Sequence, residues 1–176
     1  MEIELTHLTH LVQIQPTHAT SLFSILTIHR SHFSPWLPFV NELRDIEQTE
    51  KFIRESQVLW ESKKDFSFAI LEKGQARGVI SAKNLNWIEK STELGYWLDP
   101  SLQNSGIMTL AVNRLVEFLT VEFQFQTFWI KCAEDNLPSQ RVALKAGFEQ
   151  VGVEKRDIGK VQAVFLKFQL KKESLE

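Results

Sequence analysis

Residues 93–108 constrain this chain more than any other stretch: Glu-Leu-Gly-Tyr-Trp-Leu-Asp-Pro-Ser-Leu-Gln-Asn-Ser-Gly-Ile-Met. A short apolar strand, Leu94 to Leu98, stops at Asp99-Pro100. A polar loop carrying Gly106 follows. Apolar residues then recur at helical spacing at Ile107, Leu110, Ala111, Leu115, Phe118 and Leu119. A strand, a polar loop and a helix start in direct succession make an anion site. The first helical turn leaves its backbone N–H groups without partners, and the helix dipole favours negative charge there. A glycine in such a loop lets a ligand approach the backbone closely. The expectation is a diphosphate gripped by residues 103–109.

The remaining sequence supplies a frame for this element. Residues 3–14 alternate loosely and read as one strand. Pro16-Thr17 opens a helix whose apolar stripe is Ala19, Leu22, Phe23, Leu26 and Ile28. Pro35 and Pro38 break the helical pattern over Phe33 to Val40, which leaves an aromatic loop with Trp36 and Phe39. Asp45 caps a second helix carrying Phe52, Ile53, Leu59 and Trp60. Residues 66–71 and 76–88 alternate on either side of Lys73-Gly74-Gln75 and pair as a hairpin. Strand 91–98 leads into the loop and the long helix. Residues 127–133 form a further strand, and Pro138 suits the first turn of a helix that ends at Gly147. Two alternating strands, 148–157 and 161–170, close the chain around Ile158-Gly159-Lys160. The order β-α-α-β-β-β-α-β-α-β-β gives an α/β or α+β fold. The order gives about seven strands in a sheet with helices on both faces.

Length and composition set the outer limits. At 176 residues the chain suits a single domain spanning 1–176, and 43% hydrophobic residues can bury a real core. Net charge is −2, which gives no electrostatic footprint for nucleic acid or for an anionic membrane. One cysteine, Cys132, allows no internal disulfide and fits a reducing cytoplasm. The first residues carry acids rather than Lys or Arg and no long apolar run, unlike a signal peptide. No 18-residue apolar window marks a membrane helix. The five histidines (His7, His10, His18, His29, His32) show no metal-like clustering with acids or Cys132, so no metal is expected.

Four stretches, in order and at their spacings, resemble the GNAT superfamily of acetyl-CoA-dependent N-acetyltransferases, and within it the RimJ/RimL-type ribosomal-protein enzymes. The first is Ile28-His29-Arg30-Ser31-His32-Phe33-Ser34-Pro35-Trp36-Leu37-Pro38. The second is Glu93-Leu94-Gly95-Tyr96-Trp97-Leu98. The third is Gln103-Asn104-Ser105-Gly106-Ile107-Met108-Thr109, similar to that superfamily's Q/R-x-x-G-x-G/A pyrophosphate loop. The fourth is Cys132-Ala133-Glu134-Asp135-Asn136 with Ser139 and Lys145-Ala146-Gly147-Phe148. Met108 departs from the pattern, standing where many members have Gly or Ala.

The resemblance implies a mixed, mostly antiparallel sheet of about seven strands, splayed at an acetyl-CoA site. It implies a pantetheine arm paired like a strand with the backbone at Trp97-Leu98, and the diphosphate on Gln103, Asn104, Ser105, Gly106, Ile107, Met108 and Thr109. It puts Asn136 beside the pantetheine or an ordered water, and Ser139 on the thiol side as proton donor. Backbone donors near Leu98 would polarise the thioester carbonyl. Two carboxylates remain open as the proton acceptor, Glu93 and Asp157. Either can also be an ordinary solvated acid. His32, Phe33 and Trp36 line an acceptor pocket or belong to the core; both readings stand. Tyr96 reads as buried beside Leu94 and Leu98, and Cys132 as an inert buried thiol.

The implied activity is transfer of acetyl from acetyl-CoA to a primary amine by direct attack in a ternary complex. A ribosomal-protein N-terminus is the acceptor the resemblance favours. A polyamine, amino sugar or amino acid is the rival acceptor, and a non-catalytic acyl-CoA sensor is the rival class. A homodimer is compatible with the resemblance.

Overall fold

The computed structural model describes residues 1–158 and 161–173; the side chains of residues 157, 158 and 161 lie outside the description. Eight strands are hydrogen-bonded in the order β1-β2-β3-β4-β5-β6-β8-β7. They are β1 (Glu2–Thr6), β2 (Thr9–Gln13), β3 (Phe66–Glu72), β4 (Gln75–Asn86), β5 (Ser91–Leu98), β6 (Thr127–Ala133), β7 (Glu149–Ile158) and β8 (Val161–Lys171). The helices are α1 (Ala19–Ile28), α2 (Arg30–Phe33), α3 (Ile46–Glu61), α4 (Ile107–Phe123) and α5 (Leu137–Lys145). The chain divides into two compact units. One holds Met1–Ser81 and Tyr96–Ile107; the other holds Ala82–Gly95 and the chain from Met108 onward.

The strand count corrects the expected number of about seven. Residues 3–14 are two strands, because the chain reverses at His7-Leu8 and Thr6 pairs with Thr9. The Thr6 hydroxyl accepts the Leu8 amide at 3.3 Å and takes the place of the Gly or Asn that would announce the turn. The hairpin at Lys73-Gly74 does carry its signal: both residues have positive φ, 50° and 78°, as a two-residue turn of matching twist requires.

In the first unit, α1 and α3 bury their apolar stripes against the sheet. Ile14, Ala19, Leu22, Ile53, Ala69, Ala76 and Val79 form one cluster, with Trp97 packed against it. Asp45 caps α3, accepting the Gln48 amide while Gln48 accepts the Asp45 amide in return. The segment with two prolines is not wholly loop. It begins with the single turn of α2 and contains a 3-10 turn at Pro38–Asn41. Pro35 sits just beyond α2, and Pro38 opens its own turn, where the missing N–H costs nothing.

In the second unit, β5 and β6 run parallel, in a register from Ser91↔Thr127 to Leu94↔Ile130. Strand β6 then pairs antiparallel with β8, and β8 with β7. The period of two decides the faces. Phe128, Ile130 and Cys132 are buried, while Trp129 and Lys131 on the opposite side are half-exposed. Helix α4 contributes Ala111, Val112, Leu115, Val116 and Leu119 to the buried set. Gly147 takes φ +86° after α5, the left-handed stop expected of a glycine there.

Candidate active site

The first unit builds the anion loop from a rigid footing. Strand β5 is followed at once by Asp99, 4% exposed, which meets Arg77 of β4 at 3.1 Å. The Asp99 amide also donates to the Arg77 carbonyl at 2.7 Å. Its carboxylate caps the 3-10 turn Pro100–Leu102 by accepting the Ser101 amide at 2.8 Å, and Arg77 reaches the Ser101 hydroxyl at 2.8 Å. Gly78, next to Arg77, is required by space: a Cβ there would lie 2.5 Å from the Trp97 carbonyl oxygen. Strand β5 is therefore clamped to β4 over its last residues.

From this footing the loop turns sharply. Asn104 has φ 60° and Gly106 φ 83°, two left-handed residues within three positions. A Cβ on Gly106 would meet nothing within 4 Å, so dihedral freedom and not crowding calls for glycine. Asn104, Ser105 and Gly106 are exposed, and α4 begins at the next residue. The Gln103 side chain lies under the loop. Its amide nitrogen donates to the Leu98 carbonyl at 2.9 Å and stands 3.0 Å from His32 Nε2. His32 is thereby joined to the loop. Phe33 is buried with Ile25, Leu26, Val40 and Leu43, and its ring meets Trp97 edge-on at 5.4 Å. Trp36 is half-buried, and so is Tyr96.

The second unit holds the other expected residues in two groups. Asn136 caps α5, its side chain accepting the Ser139 amide at 3.3 Å. Ser139 hydrogen-bonds the Cys132 side chain; burial pushes the Cys132 thiol above its ordinary range, and this bond opposes the shift only in part. Met108 is buried and Thr109 half-buried at the start of α4.

The second group lies on the other side of the sheet. The Lys131 ammonium bridges Glu93 of β5 at 3.3 Å and Glu154 of β7 at 3.2 Å. Arg156 closes on Glu154 as well, and its guanidinium covers the Phe165 ring. Hydrogen bonds from Arg156 and then Lys131 hold the Glu154 carboxyl at about 2. A cavity of about 290 Å³ opens here, lined by Asn84, Ser91, Thr92, Glu93, Trp129, Lys131 and Lys167. Glu93 is thus at a cavity wall and ion-paired, not a lone strand-end acid. The Asp157 carboxylate falls outside the described side chains, though its backbone pairs with Gln162 in the last hairpin.

Sequence reasoning missed Arg77, the His32–Gln103 contact, the Cys132–Ser139 contact, and Lys131 with Glu154. Only the Arg77–Asp99 pair left a local trace, in the Asp-Pro that ends β5. Among the described residues no group of three His, Cys, Asp or Glu could hold a metal ion, and no helix is long and apolar enough to cross a membrane.

A strand clamped at its end, a left-handed polar loop and a helix start, set in a mixed eight-stranded sheet, define an α/β protein whose exposed helix start has the geometry to receive an anion. The chain belongs to the acetyltransferase (GNAT) domain family, whose sequence pattern it matches over residues 9–149. It is 34% identical over 102 residues to the ribosomal-protein-serine acetyltransferase of Escherichia coli (strain K12), covering 58% of this chain and 57% of that one. The chain spans between 45% and 64% of the length of the curated relatives it matches. Among solved structures it is similar to the microcin C7 self-immunity acetyltransferase MccE in complex with acetyl-CoA and AMP. That likeness has TM-score 0.92 and 25% identity, over 97% of this chain and 96% of that one. The ribosomal L7/L12 alpha-N-protein acetyltransferase RimL, in complex with coenzyme A as a disulfide with one of its cysteines, shares the fold at TM-score 0.91 and 22% identity. There the match covers 97% of this chain and 98% of that one.

Proposed function

We propose that this chain is an acetyl-CoA-dependent N-acetyltransferase, acting as one domain in the cytoplasm and moving acetyl to a primary amine, the N-terminal amine of a protein in particular. The observation that carries this is the family match over residues 9–149, which embraces the whole strand–loop–helix element. The relative at 34% identity, named for serine acetylation on ribosomal protein, supports the choice of acceptor. A small-molecule amine is the second reading. It is favoured by the similarity to MccE, whose complex contains acetyl-CoA and AMP.

Coenzyme A would supply an activated acyl carbon as a thioester; the rest of the chemistry falls to side chains and amides of this chain. The fit is set by the loop. Asn104 and Gly106 turn it so that the opening amides of α4, which no preceding turn of helix can satisfy, begin at an exposed edge. Residues Gln103 to Thr109 would hold the diphosphate there, with Trp97 and Leu98 offering backbone to the pantetheine arm. The incoming amine must lose a proton as its nitrogen bonds to the acyl carbon. Glu93 is our assigned acceptor for that proton, directly or through water, and Lys131 pairs with it at 3.3 Å. The departing sulfur must gain a proton. Ser139 is assigned as its donor, and Asn136 orders the first turn of the helix that carries Ser139. Asp157 stays the alternative acceptor.

Mixing the protein with acetyl-CoA and a panel of peptides and small amines, and following free thiol, tests the proposal. Thiol release with an amine, and a mass increase of one acetyl on that amine, are expected. Tight acetyl-CoA binding without thiol release from any amine would instead leave a non-catalytic acyl-CoA-binding protein.

A further inference from the structure

The cavity on the second unit carries more charge chemistry than proton acceptance needs. Its charges divide into a balanced set and a remainder. Glu93, Glu154, Lys131 and Arg156 form a closed quartet of two carboxylates and two cations. Lys167, which also lines the cavity, meets no carboxylate among the described residues. Its ammonium sits over the Trp129 ring, 5.3 Å from the centroid. The ring holds the cation by its quadrupole and uses none of its hydrogen-bond donors. Lys83, which is not part of the cavity lining, is the second lysine on this side of the sheet. It lies across Gly95, where a Cβ would stand 2.7 Å from its Nζ, on the side of β5 that also presents Glu93. No carboxylate pairs with Lys83 among the described residues either.

Two lysines left over beside a neutral quartet, in a chain whose net charge is −2, make a local positive site on a mildly acidic protein. The Ser91 hydroxyl and the Asn84 amide stand on the same wall. Asn84 has φ 54° near the end of β4, a backbone kink beside Lys83. A roomy polar cavity with an ammonium steered by an aromatic face is suited to a carboxylate or phosphate group.

We infer that this cavity binds an anionic group, carboxylate or phosphate, of the acceptor amine, with Lys167 over Trp129 as its principal contact and Lys83 as a flanking one. This rests on the proposed acetyl transfer, and deepens it by naming the acceptor class: an amine that carries negative charge a short distance from its nitrogen. Lys131 does not serve in this role, because both of its near neighbours are carboxylates.

The test follows the indole N–H resonance of Trp129, assigned with Trp129→Phe, in the whole protein. Three titrants separate the possibilities: a tetrapeptide amide with Asp and Glu after an N-terminal Ser, the same peptide with Lys in place of both acids, and O-phosphoethanolamine. A saturable shift with an anionic titrant and none with the basic peptide is expected. Lys167→Met should weaken that binding about tenfold, the size of one lost charge-assisted contact. Lys167→Arg should retain it. A response to the acidic peptide alone names a peptide acceptor; a response to phosphoethanolamine alone names a small phosphorylated amine. Equal shifts with acidic and basic peptides, or an unchanged affinity in folded Lys167→Met, overturn the inference. Thiol release is read separately, so a protein that shows the shift yet never turns over loses the proposed activity and keeps the site.

Discussion

The anion loop and the charged cavity are built on opposite principles. The loop from Asp99 to Ile107 takes its shape from neighbours in sequence: a proline turn, an Asp cap, two left-handed residues and a helix start. Its ties outside that stretch are few: Arg77 of β4 on Asp99 and Ser101, and Gln103 on Leu98 and His32. The cavity takes residues from β4, β5, β6 and β8, and its ion pairs reach β7; apart from the neighbours Glu154 and Arg156, its charged groups are far apart in sequence. One site is a property of a peptide segment and the other a property of a sheet. Damage to the loop should therefore be local and specific to the cofactor, whereas damage to the sheet face should spread along the charge set.

The largest effect expected is on the loop. Gly106→Glu puts a carboxylate where a diphosphate would sit and forces a side chain into φ 83°. Like charges at about 4 Å near a surface repel by about 4 kcal/mol, so acetyl-CoA affinity should fall about a thousandfold by calorimetry. Gly106→Ala isolates the dihedral part, since a Cβ there meets nothing, and should cost stability about 1 kcal/mol. If Gly106→Glu binds as wild type does, the loop is not the cofactor site.

Next comes the clamp that joins the loop to its strand. Arg77→Met leaves Asp99, 4% exposed, with only its cap bond. Stripping the cation from a buried carboxylate is expensive, and the Ser101 amide offsets part of the cost. Urea unfolding should show a loss of about 2–3 kcal/mol. If the loop is a self-sufficient segment, its acetyl-CoA affinity should fall much less than its stability. A parallel collapse of both would erase the contrast drawn above.

How much of this the sequence disclosed follows from the same contrast. Residues 93–108 show their strand, turn and helix start in consecutive letters, and Asn136 announces its cap role three residues before Ser139. Those features obey local rules of capping, proline and glycine. Lys131 and Glu154 are separated by helix α5 in the chain and by β8 in the sheet, and their meeting depends on the antiparallel register Ala133↔Phe165↔Glu154, which no local pattern encodes. Phe33 was ambiguous for a related reason. An aromatic residue beside two prolines suits a pocket or a core, and only the packing with Val40 and Trp97 decides for the core. The turn at His7-Leu8 was missed because Thr6 does with a hydroxyl what the usual turn residues do with backbone freedom.

A smaller effect is expected at Ser139, whose position is local while its partner Cys132 is not. Ser139→Ala keeps the Asn136 cap, which uses the backbone amide. It removes the hydroxyl that bonds Cys132 and, in the proposed reaction, protonates the leaving sulfur. Turnover should drop about tenfold, equivalent to about 1.4 kcal/mol of barrier, with acetyl-CoA affinity changed less than twofold. Equal losses in both would make Ser139 a cofactor contact. The Cys132 thiol, buried and raised above its ordinary range, should stay slow to alkylate at neutral pH in wild type.

The smallest effect belongs to the outer end of the charge set and has a definite sign. Glu154 is held at about 2 in the folded chain, below its unfolded value near 4.5, so its pairing stabilises the fold above pH 4.5. That contribution is lost as pH falls from 4.5 toward 2. Its carboxylate is open to solvent, so the loss is modest and should shrink further in high salt. Glu154→Gln should therefore flatten the stability-against-pH curve in that window and leave it unchanged in slope above pH 6. Turnover should respond to the same variant, because Lys131 then keeps Glu93 as its one carboxylate partner instead of two. Should turnover stay fixed while the low-pH stability changes, Lys131 is a strut across the sheet, and the cavity's charges act one by one after all.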